Sequence, residues 1–267
     1  MAKKVMLGYQ LLSAYKQAAE DLYGTLRQIR EMGYDGVEFI GFFGHDPKDV
    51  RAMLDELGLI GMSTLMPFAN LRDDVYKVIS DCKVVGCKYI SILLMDPGLI
   101  PGSAGFAGAL RDIIRIAGIV RQADMQLLYH HHGWEFGGLS GQSALDFMTT
   151  AVPGDMLWPE LDCYWVKHAG CDPIEYIRKY TNRCDIIHLK DYVGFKEGAV
   201  KFDGADESLP FEFKPVGHGW QDTPATIEAG IAAGAKWLVV EQDAPSANNT
   251  PMEDARMSIE YLRNYGL

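Results

Sequence analysis

The stretch GVEFIGFFGHDPKDVRAMLDELGLIGMSTL, residues 36–65, carries the pattern that decides the fold. It opens with a short β-branched and aromatic run, Gly36–Ile40, which is typical of a buried strand. Pro47 suits the first turn of a helix, where a missing N–H costs nothing, and Gly58 suits the end of that helix. A second apolar run, Leu59–Leu65, predicts the next strand. The stretch therefore predicts one β–α–β unit with parallel strands.

The same alternation extends along the whole chain. Six further runs predict strands: Val5–Leu11, Lys88–Met95, Gln126–His131, Leu157–Cys163, Asp185–Lys190 and Lys236–Gln242. Seven further segments of helical period predict helices: Glu20–Met32, Asp73–Val85, Phe106–Ala123, Ser143–Thr150, Pro173–Tyr180, Thr223–Ala233 and Glu253–Tyr265. Eight strands and eight helices in strict succession predict an α/β fold, a single (β/α)8 barrel over residues 1–267. The long irregular stretch 192–221 is predicted to form a lid loop.

A doubly wound open sheet is the alternative architecture, but its sequence signatures are missing. No Gly-x-Gly-x-x-Gly follows the first predicted strand, and no phosphate-binding Gly-x-x-x-x-Gly-Lys-Ser/Thr occurs anywhere. The usual barrel length of about 250 residues also leaves no room for a second domain. The barrel is therefore the preferred fold.

Composition narrows the classes of function. The chain has 267 residues, 48% hydrophobic and 23% charged, which is typical of a globular protein. A net charge of −11 without a dense Lys/Arg cluster argues against a nucleic-acid partner. Five cysteines without a Cys-x-x-Cys pair predict reduced thiols, and no run reaches the ~18 apolar residues of a membrane span. Because Gly8, Tyr9 and Gln10 interrupt the apolar start, we expect a cytoplasmic protein that keeps its N-terminus. Self-association is left open, because no helix shows a clear second apolar face.

Metal-competent side chains end the last four predicted strands. In such a barrel the interior is packed, so chemistry is expected at the carboxyl ends of the strands. One residue of each strand from the fifth to the eighth qualifies: His130, Asp162, His188 and Glu241. Alone, each is more often a helix cap or a surface ion-pair partner. Together, imidazole and carboxylate groups from four adjacent strands predict a site for a divalent ion such as Mn²⁺, Co²⁺, Zn²⁺ or Fe²⁺.

Further polar and aromatic residues are expected around this rim. Strand alternation turns His130 and His132 to one face and His131 to the other, so His131 is predicted to be structural. Lys190 is predicted to donate a hydrogen bond to a substrate oxygen, with a salt bridge to Asp191 or Glu160 as the alternative. The predicted substrate contacts are Glu38, Trp134, Trp165 and His218. Each aromatic residue among them could instead pack inside its loop, and His218 could merely shape the loop that holds it.

Four runs of the chain resemble a known family, and the resemblance extends over almost the whole length. They are Tyr129-His-His-His-Gly-Trp-Glu-Phe136, Glu160-Leu-Asp-Cys-Tyr-Trp165, Ile187-His-Leu-Lys-Asp191 and Val240-Glu-Gln-Asp243. They resemble the sugar phosphate isomerase/epimerase superfamily with the xylose isomerase-like TIM barrel, closest to its inosose dehydratase-like branch. The resemblance implies a metal held by Glu, Asp, His and Glu. His130 stands at the position of the first glutamate, and Glu135 is the alternative ligand or base there.

The resemblance also implies a reaction. We expect a metal-dependent isomerase or epimerase that acts on a keto-sugar or related polyol through an enediolate intermediate. Glu241 is the first candidate base, and Glu135 or His132 would relay a proton on the other face. A dehydratase of an inosose or keto-sugar is the first alternative, and a non-catalytic sugar-binding barrel is the second. A small-molecule sugar or cyclitol is therefore the expected partner, and Met66, where relatives often carry histidine, argues against the extended metal cluster of the DNA-repair endonucleases.

Overall fold

Eight parallel strands close into a barrel in a computed structural model that describes residues 5–139, 141–201, 206 and 208–267. The strands are β1 (Met6–Gln10), β2 (Gly36–Ile40), β3 (Ile60–Pro67), β4 (Tyr89–Leu93), β5 (Gln126–His130), β6 (Leu157–Asp162), β7 (Ile186–Leu189) and β8 (Trp237–Val240). The ring is closed by parallel pairing of β1 with both β2 and β8. The predicted (β/α)8 barrel is thus confirmed. The expectation of an uncleaved N-terminus falls partly on residues 1–4, which lie outside the described residues.

Ten α-helices are present in the described ranges. They are α1 (Tyr15–Glu20), α2 (Leu22–Met32), α3 (Pro47–Leu57), α4 (Phe68–Val85), α5 (Phe106–Gln122), α6 (Ala144–Ala151), α7 (Cys163–His168), α8 (Pro173–Lys179), α9 (Thr223–Ala233) and α10 (Pro251–Tyr265). The predicted helix Glu20–Met32 corresponds to α2, which begins at Leu22, because Asp21 ends α1 and its side chain caps α2 by accepting the Gly24 N–H. Helix α1 is not among the predicted helices. Helix α4 begins at Phe68 rather than Asp73.

The interior of the barrel is apolar at its amino end and polar at its carboxyl end. Six side chains from five strands fill the amino half: Met62, Tyr89, Leu128, Ile186, Trp237 and Val239. Because side chains alternate across a strand, the residue two places further on points into the same interior one layer higher. Leu128 is followed in this way by His130, and Ile186 by His188. The apolar layer at the amino end is therefore followed, towards the carboxyl end, by a layer of polar residues that includes the candidate metal ligands.

The predicted lid segment 192–221 contains an antiparallel hairpin. Asp191–Val193 pairs with Glu212–Lys214 directly above the end of β7. Residues 202–205 and 207 of this segment lie outside the described residues. The role of the segment as a lid stays a prediction.

Asp191 fixes the returning end of this segment. Its Oδ1 accepts the N–H groups of Tyr192 and Gln221, and its Oδ2 accepts those of Gly217 and Gly219. Burial raises the pKa of the Asp191 carboxyl, although the four N–H donors act in the opposite direction. Gly219 is required here, since a Cβ would lie 2.3 Å from Asp191 Oδ1. One carboxylate thus satisfies four loop N–H groups.

We predict that Asp191→Asn destabilises the protein markedly. Asparagine keeps one acceptor oxygen, so its amide group would face N–H donors that lose their partner. Each lost acceptor is expected to cost about 1–3 kcal/mol in the free energy of unfolding. Urea denaturation measures the change, with Asp46→Asn as control, because Asp46 is an exposed cap of α3 where asparagine serves equally well. Equal stability of the two variants would contradict this role.

Two negative expectations can be compared with the structure. Each of the five cysteines is a free thiol, as the sequence predicts. Among the described residues, no helix combines the length and apolar character that a bilayer crossing requires.

Candidate functional site

The four predicted metal ligands meet at the carboxyl end of the barrel. His130 and Asp162 are the last residues of β5 and β6, His188 lies in β7, and Glu241 directly follows β8. One ligand atom from each of the four lies within 4.8 Å of the others. All four side chains are buried. The structure therefore brings together residues that are far apart in the sequence, and we call these four the rim cluster.

Two buried atoms of the rim cluster lack a hydrogen-bond partner. His130 Nδ1 lies 3.4 Å from Glu160 Oε2, and Asp162 Oδ2 lies 2.9 Å from Lys190 Nζ, but neither pair has hydrogen-bond geometry. Buried polar atoms without partners are rare and often mark the place of an ion or water. Two imidazoles and two carboxylates are also a donor set that suits zinc, manganese or iron. The residues present therefore fit a divalent cation.

Lys190 and Glu241 form the charged centre of the site. The Lys190 Nζ lies 3.0 Å from Glu241 Oε2 and 2.7 Å from Asp243 Oδ1. Burial lowers the pKa of Lys190, but the carboxylates of Asp162, Asp243 and Glu241 outweigh burial and raise the pKa well above its usual value. Burial raises the pKa of Glu241, but Lys190 and His188 hold it well below its usual range. The two side chains are therefore an ammonium and a carboxylate. The alternative salt bridge of Lys190 to Asp191 or Glu160 is replaced by bridges to these three carboxylates.

His132 stands beside the rim cluster as a neutral imidazole. Its ring stacks on Trp134 with centroids 4.3 Å apart and meets Trp165 edge to face at 5.2 Å. Burial, assisted by His130 and Lys190, lowers the pKa of His132 to about 2. His131 points away from the interior and accepts the Asp162 N–H through Nε2, which fits its predicted structural role.

Glu135 lies at the same end of the barrel but is engaged by protein groups. Its carboxylate accepts the Tyr129 hydroxyl at 2.8 Å and the His132 backbone N–H at 2.8 Å. Burial raises the pKa of Glu135 to about 7. The side chain folds back over the end of β5 and is not one of the four residues that meet in the rim cluster. The end of β5 therefore contributes His130 to the rim cluster, and Glu135 lies outside the cluster.

Glu38 lies below the rim, where a substrate contact was predicted. It is the third residue of β2, and its side chain is completely buried. Its Oε2 lies 2.7 Å from His188 Nε2. Burial and the neighbouring Glu160 raise the pKa of Glu38 to about 7. The carboxylate therefore contacts a rim-cluster residue from below.

Glu160 is a site residue that the sequence reasoning did not assign. It precedes Asp162 by two places in β6, so both side chains point into the barrel. Its Oε2 accepts the Ser91 hydroxyl at 2.7 Å, and its side chain is completely buried. The alternation rule applied to the Glu-Leu-Asp triplet could have found it.

The predicted aromatic contacts lie in two different surroundings. Trp134 and Trp165 flank His132, as described above, and Lys190 Nζ lies 5.7 Å from the Trp165 ring centre. His218 is exposed, and its ring lies 6.3 Å from that of Tyr261 on α10. The structure therefore brings the two tryptophans to the rim and places His218 against the last helix.

An aromatic group that the sequence did not predict covers one side of the rim. Tyr164 of α7 packs edge to face against Tyr192 and Phe213 of the hairpin, at 4.8 Å and 5.2 Å between ring centres. The Phe213 ring centre lies 5.9 Å from Lys190 Nζ. Helix α7 is not among the predicted helices, so no local pattern places Tyr164 here.

Fold and site together define a (β/α)8 barrel with a buried cluster of metal-competent side chains at the carboxyl ends of its strands. Residues 26–265 match the family model of the xylose isomerase-like TIM barrel. The chain belongs to this family, which confirms the resemblance drawn from its motifs.

Three known proteins illustrate the similarity. The inosose dehydratase of Geobacillus kaustophilus is 23% identical over 274 residues, which cover 89% of this chain and 85% of that protein. A sugar phosphate isomerase/epimerase from Parabacteroides distasonis has the same fold with a TM-score of 0.79 at 19% identity, covering 100% of this chain and 96% of the other. The IOLI protein, solved with a bound zinc atom, superposes with a TM-score of 0.74 at 14% identity and covers 97% of each chain.

Proposed function

We propose that this protein is a metal-dependent enzyme that removes a proton next to the carbonyl of an inosose or keto-sugar and then expels a hydroxyl group as water. The observation that carries the proposal is the rim cluster, in which Glu241 lies between His188 and Lys190 with its Oε2 2.8 Å and 3.0 Å from their nitrogens. Similarity to inosose dehydratases supports a cyclitol or sugar substrate. The bound zinc of the IOLI protein supports a divalent metal, whose identity is left to experiment.

His130, Asp162, His188 and Glu241 would hold the metal ion. A divalent cation supplies Lewis acidity there, which polarises a substrate carbonyl and stabilises the negative charge of an enediolate. Every other contribution comes from the side chains of the chain itself.

Glu241 is the proposed base. Its low pKa keeps the carboxylate ionised and ready to accept a proton. Burial keeps bulk water away from the carboxylate. The Lys190 ammonium, which stays protonated, is proposed to hydrogen-bond the substrate oxygen that becomes negative. The proton leaves carbon for Glu241, a C=C bond forms, and the neighbouring C–O bond breaks. The departing hydroxide takes the proton from the Glu241 carboxyl and leaves as water, which regenerates the carboxylate.

The opposite side of the rim favours dehydration over epimerisation. Epimerisation by two bases needs a second carboxylate that faces the substrate, whereas Glu135 is bound to Tyr129 and to the His132 N–H. His132 has a pKa of about 2 and is a poor base near neutral pH. Glu241 is therefore the one carboxylate at the rim that we assign as a base, and a single base is sufficient for elimination.

An isomerase that moves a proton between adjacent carbons is the second candidate. One base on one face of an enediolate suffices for that reaction, so Glu241 could serve it equally well. The similarity in fold to a sugar phosphate isomerase/epimerase is the observation that favours it.

Deuterium exchange distinguishes these reactions. We expect the protein with Mn²⁺ in D2O to exchange the hydrogen next to the carbonyl of an inosose, and NMR to show loss of one water with a new unsaturated or diketone product. Exchange with a rearranged ketose and no loss of water would indicate the isomerase. If the protein still binds a sugar in EDTA and exchanges hydrogen on no inosose or keto-sugar, both the dehydratase and the isomerase would be contradicted. A non-catalytic sugar-binding protein would then be favoured.

A further inference from the structure

A buried carboxylate lies behind one of the proposed metal ligands. Glu38 comes from β2 and His188 from β7, two strands that are not neighbours in the barrel. Their side chains meet across the interior, with Glu38 Oε2 2.7 Å from His188 Nε2. Both side chains are completely buried, so no solvent competes for this contact.

We propose that Glu38 is a positioning residue that fixes the orientation and tautomer of His188 for metal binding. This inference rests on the proposed metal site. By accepting the Nε2–H, Glu38 assigns the proton to Nε2 and leaves Nδ1 as the ligand nitrogen. Nδ1 is the nitrogen that faces the rim cluster, since it lies 2.8 Å from Glu241 Oε2.

The surroundings make Glu38 the nearest acceptor for the Nε2–H of His188. Glu160 also approaches His188 Nε2, but at 3.8 Å and without a hydrogen bond, and its Oε2 already accepts the Ser91 hydroxyl. Each ring nitrogen of His188 thus has one close carboxylate, Glu38 at Nε2 and Glu241 at Nδ1, so a metal ion that binds Nδ1 would leave the Nε2–H with Glu38. A carboxylate on the far nitrogen also strengthens a histidine ligand, and loss of such a partner typically costs 10–100-fold in metal affinity.

Two substitutions of Glu38 distinguish the effect of its hydrogen-bond acceptor from the effect of its negative charge. Glu38→Met removes the acceptor with little change in volume, whereas Glu38→Gln retains an acceptor oxygen without the charge. Glu135→Gln is a matched control, because Glu135 is equally buried at the same end of the barrel but bonds to Tyr129 and a backbone N–H. Zn²⁺ affinity measured by calorimetry needs no substrate and no turnover.

We expect Glu38→Met to weaken Zn²⁺ binding about 10–100-fold, Glu38→Gln to weaken it by a smaller factor, and Glu135→Gln to leave it within about threefold of the parent. In the Zn²⁺-bound parent, the ¹⁵N spectrum of His188 should show a protonated Nε2 and a metal-bound Nδ1. That spectrum tests the tautomer directly, and a merely structural role for Glu38 would not predict it.

Several outcomes would overturn the inference. Parent-like Zn²⁺ affinity of both Glu38 variants would exclude a positioning role while leaving the metal site intact. Zinc bound through Nε2 would exclude the proposed tautomer, and this can be observed in the parent even if Glu38→Met does not fold. Absence of Zn²⁺ binding by the parent itself would instead contradict the proposed metal site, and with it this role.

Discussion

Replacing Glu241 by glutamine is expected to slow deuterium exchange next to the substrate carbonyl by about 10²–10⁴-fold, the contribution typical of a general base. Glutamine has nearly the same shape but cannot accept the proton. Its amide would also lie near Lys190 Nζ, which is 3.0 Å from the present carboxylate oxygen. The rate is measured by NMR in D2O at saturating Mn²⁺, so that a weaker metal site does not imitate the loss of the base.

The competing base is tested in the same experiment. Glu135→Gln is expected to lose much less exchange activity than Glu241→Gln, because the Glu135 carboxylate is bonded to Tyr129 and to the His132 N–H. Exchange by Glu241→Gln at the parental rate, together with a large loss in Glu135→Gln, would reverse the assignment of the base.

Asp162→Asn is expected to abolish metal binding while the fold is preserved. Asp162 Oδ1 accepts the Trp165 N–H and thereby caps α7, a role that an asparagine oxygen can retain. The amide nitrogen would then replace Oδ2 and would present N–H groups to a cation. It would also face the Lys190 ammonium, whose Nζ lies 2.9 Å from the present Oδ2. We expect Mn²⁺ affinity to fall at least about 100-fold, since even the loss of an outer hydrogen-bond partner typically costs 10–100-fold.

Asp172→Asn provides the control for this substitution. Asp172 caps α8 by the same side-chain hydrogen bond, to the Ile174 N–H, but lies outside the rim cluster. It should retain Mn²⁺ affinity and stability close to the parent. A parental Mn²⁺ affinity in Asp162→Asn would show that Asp162 is a helix cap and not a metal ligand.

The barrel could be predicted because its information is local. Strands such as Gly36–Ile40 are short β-branched or aromatic runs, and helices such as Pro47–Leu57 carry both a proline start and a glycine end. Strand ends then place His130, Asp162, His188 and Glu241 at one rim, whatever the exact crossing of the helices. That part of the site needs only the topology and the alternation of side chains.

The remaining features depend on tertiary contacts that no local pattern encodes. Glu38 reaches His188 across the barrel, so its depth follows from closure of the sheet and not from β2 alone. Glu135 accepts the hydroxyl of Tyr129 in β5 because the turn after that strand folds back onto it. His218 lies beside Tyr261 because the segment after the hairpin packs on α10. These residues could be identified as candidates from the sequence, but their contacts could not be predicted.

The most direct test of the central claim is anomalous diffraction from crystals soaked in zinc. A single strong peak is expected at the carboxyl end of the barrel, about 2.0–2.2 Å from one nitrogen each of His130 and His188 and from one carboxylate oxygen each of Asp162 and Glu241. A peak located elsewhere, or these four side chains paired with one another with no zinc among them, would contradict the account.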